Sequence, residues 1–358
     1  MCNNGKESDG LLSVVIPYYN GYDFIFKMIA DLLRIRQLKE IIIVDDGSPD
    51  NRTDDLKEAF KEEKKIAVYR KENGGIADAR NFGMGLTTGE YILFVDQDDK
   101  VVPETMDEAV KVLHEQNCNC ALWSTNKVLN EEKTKPVCCV KTSGKVEQRI
   151  IYNEFIRTFL FFEPNEWITF AGHVWGGLFR TSFLVKNKIG FNRFVNYEDD
   201  YLFMLLVLLN SDSICLIKEI GYYWNVHETS YSHKQHYISD LQSKQERLVS
   251  YICKELRDYK ISEEIICKFE LKHMQEIPIK DIYNRCINHE TLINIYHATK
   301  ILMMKDRNKY KYNCPCAQDS RYYIVAYYLL RYRMCFGAVL LCKYMYHKNK
   351  RIRKSKLE

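Results

Sequence analysis

The amino-acid sequence predicts an α/β protein: a doubly wound, mainly parallel sheet over residues 10–235, then a helical region over 236–358. Three observations predict it. Apolar runs such as Ile41-Ile42-Ile43-Val44 and Tyr91-Ile92-Leu93-Phe94-Val95 hold no polar residue, as expected of strands covered on both faces. Segments with apolar groups at helical spacing alternate with them. Each run also ends in a polar or acidic turn, which gathers polar groups beyond the carboxyl ends of the strands, where open α/β sheets bind ligands.

The elements follow in order. Ser13-Val14-Val15-Ile16-Pro17 is a short strand closed by proline, and Tyr18-Tyr19-Asn20-Gly21 is its turn. Phe24 to Arg36 carries Phe24, Met28, Ile29, Leu32, Leu33 and Ile35 on one broad helical face. The strand Ile41 to Val44 runs into Asp45-Asp46-Gly47-Ser48-Pro49-Asp50. A charged helix is expected from Thr53 to Lys64, a third strand at Ile66-Ala67-Val68-Tyr69, and after Asn73-Gly74-Gly75 a helix from Ile76 to about Leu86. The strand Tyr91 to Val95 then leads into Asp96-Gln97-Asp98-Asp99, and Pro103 begins the next helix.

Asp96, Asp98 and Asp99 are the most informative group. Three carboxylates within four residues raise one another's pKa unless a cation or polar ligand holds them. Oxygen-only ligands suit a hard divalent ion, Mg²⁺ or Mn²⁺, that bridges protein and a diphosphate. The structural alternative is an acidic turn ahead of the Pro103 helix. No Gly-x-Gly-x-x-Gly follows the first strand, which argues against an ordinary dinucleotide-binding Rossmann domain, and no Gly-x-x-x-x-Gly-Lys-Ser/Thr loop is present, so a nucleotide would be held by carboxylates and a metal rather than by a glycine cradle. Glu198-Asp199-Asp200, just before the apolar helix Tyr201 to Leu209, is a second acidic cluster; it either caps that helix or holds a base.

Four ordered motifs resemble the family 2 glycosyltransferases, inverting enzymes of the GT-A fold. They are Ser13 to Asn20, Ile43-Val44-Asp45-Asp46-Gly47-Ser48, Asn73-Gly74-Gly75 with Ala79-Arg80-Asn81, and Val95 to Asp99. The likeness continues through Trp175-Gly176-Gly177-Leu178-Phe179-Arg180, Tyr197-Glu198-Asp199-Asp200 and Tyr223-Trp224-Asn225-Val226-His227, to about residue 235. The resemblance implies a nucleotide-diphosphate sugar donor, a UDP-sugar in particular. On the donor side it gives Asp46 the base edge, Tyr19 the base face, Pro17 the first turn, Arg80 the diphosphate and Asp96 the ribose or metal. Asp98 becomes the direct ligand of Mn²⁺ or Mg²⁺, with His227 completing that shell. Asp199 becomes the base that takes the acceptor proton, and Glu198, Asp200 and Trp175 lie on the acceptor side. Each has a plainer alternative: an Asx turn for Asp46, a half-buried aromatic for Tyr19, a solvated charge for Arg80, core packing for Trp175. The chain departs from the family pattern at Asn225, where Arg is frequent, and at Gly177, where Lys is frequent.

The chain has 358 residues, a net charge of +4 and 13 cysteines without a zinc spacing. With a polar N terminus they read as reduced cytosolic thiols. The last third is rich in Tyr, Lys and Arg. Tyr322 to Tyr346 is apolar and aromatic but interrupted by Arg331 and Arg333, and its unbroken run is too short to span a bilayer. The tail from Lys343 to Glu358 sets seven bases against one acid, so the basicity is local. That pattern fits either the surface of an anionic leaflet or a helical bundle with a loose charged end. The resemblance thus implies a hexosyl- or N-acetylhexosaminyltransferase acting on a glycan or lipid-linked saccharide in cell-surface polysaccharide synthesis. It would be cytoplasmic or peripheral on the inner face of the membrane, with no nucleic-acid partner. A nucleotidyltransferase and a non-catalytic sugar-nucleotide scaffold are the alternatives. The glycine- and basic-rich loop of the first is absent, and the acids at 98 and 199 argue against the second.

Overall fold

A computed structural model describes residues 10–129, 133–169, 172–192, 199–226, 237–305 and 321–357, and the chain divides into two compact units, 1–226 and 227–358. In the first, β1 (Leu12–Tyr18) is buried at every position, as its unbroken apolar run requires. It is followed by α1 (Tyr22–Leu32), β2 (Leu38–Asp45), α2 (Thr53–Ala59), β3 (Ile66–Arg70), α3 (Ile76–Met84) and β4 (Tyr91–Phe94). The four strands are parallel in the order β3-β2-β1-β4, so their carboxyl ends share one edge. The helix expected from Thr53 to Lys64 stops at Ala59. The five residues from Lys61 to Lys65 are all charged and offer no face to bury, and the chain there turns toward β3.

The rest of the unit extends the sheet: β5 (Lys100–Val101), α4 (Pro103–Gln116), β6 (Cys120–Leu129), β7 (Lys133–Cys138) and β8 (Gly144–Glu147). After them come α5 (Gln148–Ile150), a π-helical turn Ile151–Phe155, α6 (Ile156–Phe161), a 3-10 turn Val174–Gly176, β9 (Gly177–Arg180), α7 (Thr181–Lys186), α8 (Asp199–Asn210) and β10 (Ser213–Val226). The sheet order is β3-β2-β1-β4-β9-β6-β10-β5, with β7 on β6 and β8 on β10. It is mixed: β9 runs antiparallel between β4 and β6 and fastens the parallel half to the rest. Gly177 opens β9 so close to β6 that a Cβ there would lie 2.9 Å from Leu122 Cδ2 and 3.0 Å from the Ala121 carbonyl. The lysine frequent at that place in the family would not fit this packing.

The second unit comprises α9 (Leu241–Asp258), α10 (Glu263–Ile287), α11 (Leu292–Lys305), α12 (Arg321–Arg331) and α13 (Cys335–Leu357). Ser262 caps α10 by accepting from the Ile265 amide, and Glu263 and Glu264 occupy its first turn, where the helix dipole favours acids. Ile282, Ile295, Tyr327, Leu330, Val339 and Cys342 are at the centre of its core. The stretch from Tyr322 to Tyr346 is two helices, parted where Arg333 takes a left-handed conformation (φ 59°). The basic end is helical to Leu357 rather than a loose terminus. Among the described residues no helix is long and apolar enough to cross a membrane, and the cysteines are free thiols.

Candidate active site at the carboxyl ends of the parallel strands

The turns after β1 and β2 are tied together. Asp46 N–H donates to the Tyr18 carbonyl (2.9 Å), and Asn20 N–H to Ser48 Oγ (3.0 Å). Asp45 is buried and structural: its carboxylate accepts from Ser48 N–H (2.8 Å), Thr53 Oγ1 and Arg70 Nη1 (3.2 Å). Asp46 holds the glycine loop, accepting from Gly74 N–H (2.9 Å), Gly75 N–H (2.7 Å) and Lys71 Nζ (2.8 Å). Gly75, at φ +88° and ψ 168°, adopts a backbone open only to glycine and begins α3. Of the roughly four acceptor positions of a carboxylate, Asp46 retains one, so the loop contacts and a donor base can coexist there. Tyr19 is 48% exposed, and Gln97 brackets its backbone, accepting from its N–H and donating to its carbonyl (3.0 Å each). Pro17, buried in β1, pairs with Val44 just before these turns.

The acids after β4 have separate places. Asp99 is 4% exposed and accepts from the Tyr222 hydroxyl (2.6 Å) and Asn225 N–H (2.8 Å). Burial raises its pKa, reinforced by Asp96 and Asp98. The Tyr222 oxygen also accepts from Asp96 N–H (3.1 Å), and Asn225 Nδ2 donates to the Asp98 carbonyl (2.9 Å). The acidic turn is thereby pinned to β10, and the asparagine that replaces the family's arginine has a structural task. Asp96 and Asp98 remain partly exposed.

Arg80 joins the two acidic clusters. Only 2% exposed, it pairs through Nη2 with Asp96 (2.8 Å) and through Nη1 with Asp200. Its guanidinium carbon lies 5.2 Å from the Phe191 ring centre. The neighbouring Asn81 brackets Phe191, donating to its carbonyl (2.7 Å) and accepting from its N–H (2.8 Å). Phe191 stacks on Phe203 at 4.4 Å, and Phe94 meets both edge-on. Phe203 is one helical turn past Asp199, so these rings fix the start of α8 against the end of β4. Asp199 Oδ1 is buried with no hydrogen-bond partner among the described residues. Burial, reinforced by Asp200 and opposed by Arg80, raises the Asp199 pKa from 3.8 to about 6.

Arg80, to which the resemblance gives the diphosphate, is buried and held by two carboxylates, which makes it a clamp between the clusters. Trp175, to which the resemblance gives the acceptor side and for which core packing is the alternative, is enclosed by aromatic rings. It is 5% exposed and stacks with both His173 (4.4 Å between ring centres) and Tyr222 (4.8 Å). Asp200 serves Arg80 and accepts from Val174 N–H (3.4 Å). Glu198 and His227 lie outside the described residues. His173, Tyr222 and Gln97 were not anticipated. The imidazole of His173 has its pKa lowered by burial, against the pull of Asp200 and Asp96. A signal for Tyr222 exists in the sequence, since a tyrosine in a strand otherwise bound for the core needs a partner for its hydroxyl.

Among the described residues no three His, Cys, Asp or Glu side chains gather into a metal cage. Asp98, alone or with Asp96, offers carboxylate oxygen only. That suits Mg²⁺, which takes one or two carboxylates and fills its shell with phosphate and water.

Residues 13–181 match the family described as Glycosyl transferase family 2. Over 238 residues the chain is 27% identical to the uncharacterized glycosyltransferase YibD of Escherichia coli, covering 64% of this chain and 65% of YibD. Over 220 residues it is 26% identical to the poly(ribitol-phosphate) beta-N-acetylglucosaminyltransferase TarS of Staphylococcus aureus, covering 59% of this chain and 35% of TarS. The matched parts thus span less than two thirds of these relatives. The crystal structure of TarS residues 1–349 with UDP-GlcNAc superposes with a TM-score of 0.60 at 20% identity, covering 94% of this chain and 92% of that one. At that identity the likeness establishes the fold.

Proposed function

We propose that the chain, whose residues 13–181 match the family 2 glycosyltransferases, carries out an inverting transfer of a sugar from a nucleotide-diphosphate sugar. The donor is a UDP-sugar, with a hexosyl or N-acetylhexosaminyl group. The acceptor is a hydroxyl of a glycan or lipid-linked saccharide in cell-surface polysaccharide synthesis, and a lipid-linked one would be met at a membrane surface. The observation that carries this reading is the buried Oδ1 of Asp199, without a hydrogen-bond partner among the described residues and held beside the acids of the β4 turn through Arg80 and Asp200.

In this reading Tyr19 lies under the base, the remaining acceptor position of Asp46 takes its edge N–H, and Pro17 sets the turn between them. Asp96 takes the ribose. Asp98 would hold Mg²⁺ or Mn²⁺, with His227 as a further ligand; when bound, the ion would neutralise charge on the leaving diphosphate. Glu198 binds acceptor hydroxyls. Asp199 accepts the proton of the attacking hydroxyl as the new oxygen–C1 bond forms. The C1–O bond to phosphate breaks, and its electron pair leaves with the nucleoside diphosphate. A base with a pKa near 6 is ionised at neutral pH yet still basic enough to take a proton.

The test is a panel of nucleotide sugars with Mn²⁺ or Mg²⁺, following nucleoside diphosphate release with and without saccharide acceptors. Acceptor-dependent release from one donor supports the proposal. Binding of UDP without turnover of any donor points to a scaffold, and formation of a sugar nucleotide from a sugar phosphate points to a nucleotidyltransferase.

A further inference from the structure

Helices α12 and α13 each bury one apolar face and leave a second one bare. On α12, Ala326, Tyr327 and Leu330 enter the core, whereas Val325 on the opposite side is 48% exposed. On α13, Ala338, Val339, Cys342 and Tyr346 are buried, while Phe336, Leu340 and Tyr344, spaced four residues apart, are 50%, 44% and 57% exposed. Tyr332, in the turn between the helices, is 70% exposed. Apolar groups aligned at helical spacing on a surface mark a contact face rather than scattered exposure. The charge on the same helices is of one sign: from Arg321 to Leu357 there are ten Lys and Arg and no Asp or Glu. Lys348 Nζ lies 3.2 Å from the Tyr322 hydroxyl, so the basic end of α13 adjoins the start of α12.

We propose that this face of α12 and α13 rests on an anionic lipid bilayer. Phe336, Leu340, Tyr344 and Tyr332 enter the boundary between headgroups and acyl chains, and Arg331, Arg333, Lys343 and Lys348 lie among the headgroup phosphates. No described helix is long and apolar enough to span, so the contact is with the surface. A second copy of the chain would bring like charge against like charge. A nucleic acid would match the bases but leave the aromatic stripe in water. The proposal deepens the reading of a lipid-linked acceptor by naming the surface, and it stands on this face rather than on the transfer chemistry.

The full chain is sedimented with phosphatidylcholine vesicles with and without phosphatidylglycerol, in low and high salt. The expected result is partition at least ~10-fold stronger into anionic vesicles, lost near 1 M salt, where the screening length falls to about 3 Å. Phe336→Glu with Leu340→Glu should abolish that binding while leaving helicity and UDP affinity unchanged. Equal affinity for neutral vesicles, or full binding by the double variant, overturns the proposal. So does a dimer dispersed by Leu340→Glu without vesicle binding, or duplex DNA binding in place of vesicles. Transfer to a soluble acceptor, measured on the same preparations, separates failure here from failure of the proposed activity.

Discussion

Asp199 is a carboxylate placed where its charged form is disfavoured, and two predictions follow from that single residue. Its pKa in the fold, about 6, stands above the ordinary 3.8 because of burial and Asp200. A carboxyl raised in this way favours folding while protonated, and that contribution is lost as pH rises through 6. Asp199→Asn should therefore stabilise the protein at pH 8, by on the order of 1–3 kcal/mol, and change little at pH 4. Urea unfolding at the two pH values measures it, and a variant equally stable to wild type at pH 8 refutes it. The same substitution should abolish transfer and leave UDP affinity nearly unchanged, because the proposed base acts on the acceptor. Arg80 supplies the second test. Its charge holds the Asp199 pKa down, so Arg80→Met should move the acid limb of the kcat/KM profile to higher pH. Arg80→Lys keeps a charge but replaces a two-pronged donor by a point, so it should lose at least ~10-fold in kcat with a smaller shift of that limb. A limb that stays in place in Arg80→Met would separate the clamp from the base. Of these residues, Asp199 was legible as an acid crowded beside others. The clamp was not, because Arg80 and Asp200 are far apart in sequence and only the fold brings them together.

The parallel strands and their acidic ends were plain from their apolar runs, since a buried strand that stops in aspartate admits few readings. The strand β9 was not, because Gly177-Leu178-Phe179-Arg180 is too short to show a period and its neighbours β4 and β6 lie far from it in sequence. The role of β10 was hidden for the same reason. Its Tyr222 hydroxyl joins Asp99 to the Asp96 amide, and a strand thereby sets the shape of the turn that carries Asp98. Tyr222→Phe keeps the ring stacked on Trp175 but leaves a buried carboxylate and an N–H short of a partner. The expected loss is about 1–3 kcal/mol in unfolding free energy, the usual cost of an unsatisfied buried group. If the turn also loosens, the donor KM should rise more than kcat falls. Unchanged stability together with unchanged KM would mean that water replaces the hydroxyl and that β10 does not govern the turn.

At the scale of the whole molecule, the C-terminal bases belong to a helix that also builds a core, so where the chain is cut decides what is tested. Removing residues 343–358 would take Tyr346, which is 6% exposed within the second unit's core, and would confuse lost charge with lost packing. Truncating a buried aromatic typically costs about 3–5 kcal/mol. Ending the chain after His347 keeps that ring and removes Lys348, Lys350, Arg351, Arg353, Lys354 and Lys356. The shorter chain should unfold within about 1 kcal/mol of the full one, as surface changes usually do. Its turnover on a small soluble acceptor should be intact, because Asp98 and Asp199 lie in the other unit. On an acceptor embedded in anionic vesicles it should fall, since each base near such a surface contributes about 1 kcal/mol to binding. The ratio of the two activities, measured at low and high salt, is the deciding quantity. A ratio unaffected by the cut and by salt would mean that the basic end of α13 serves packing or assembly and takes no part in reaching the acceptor.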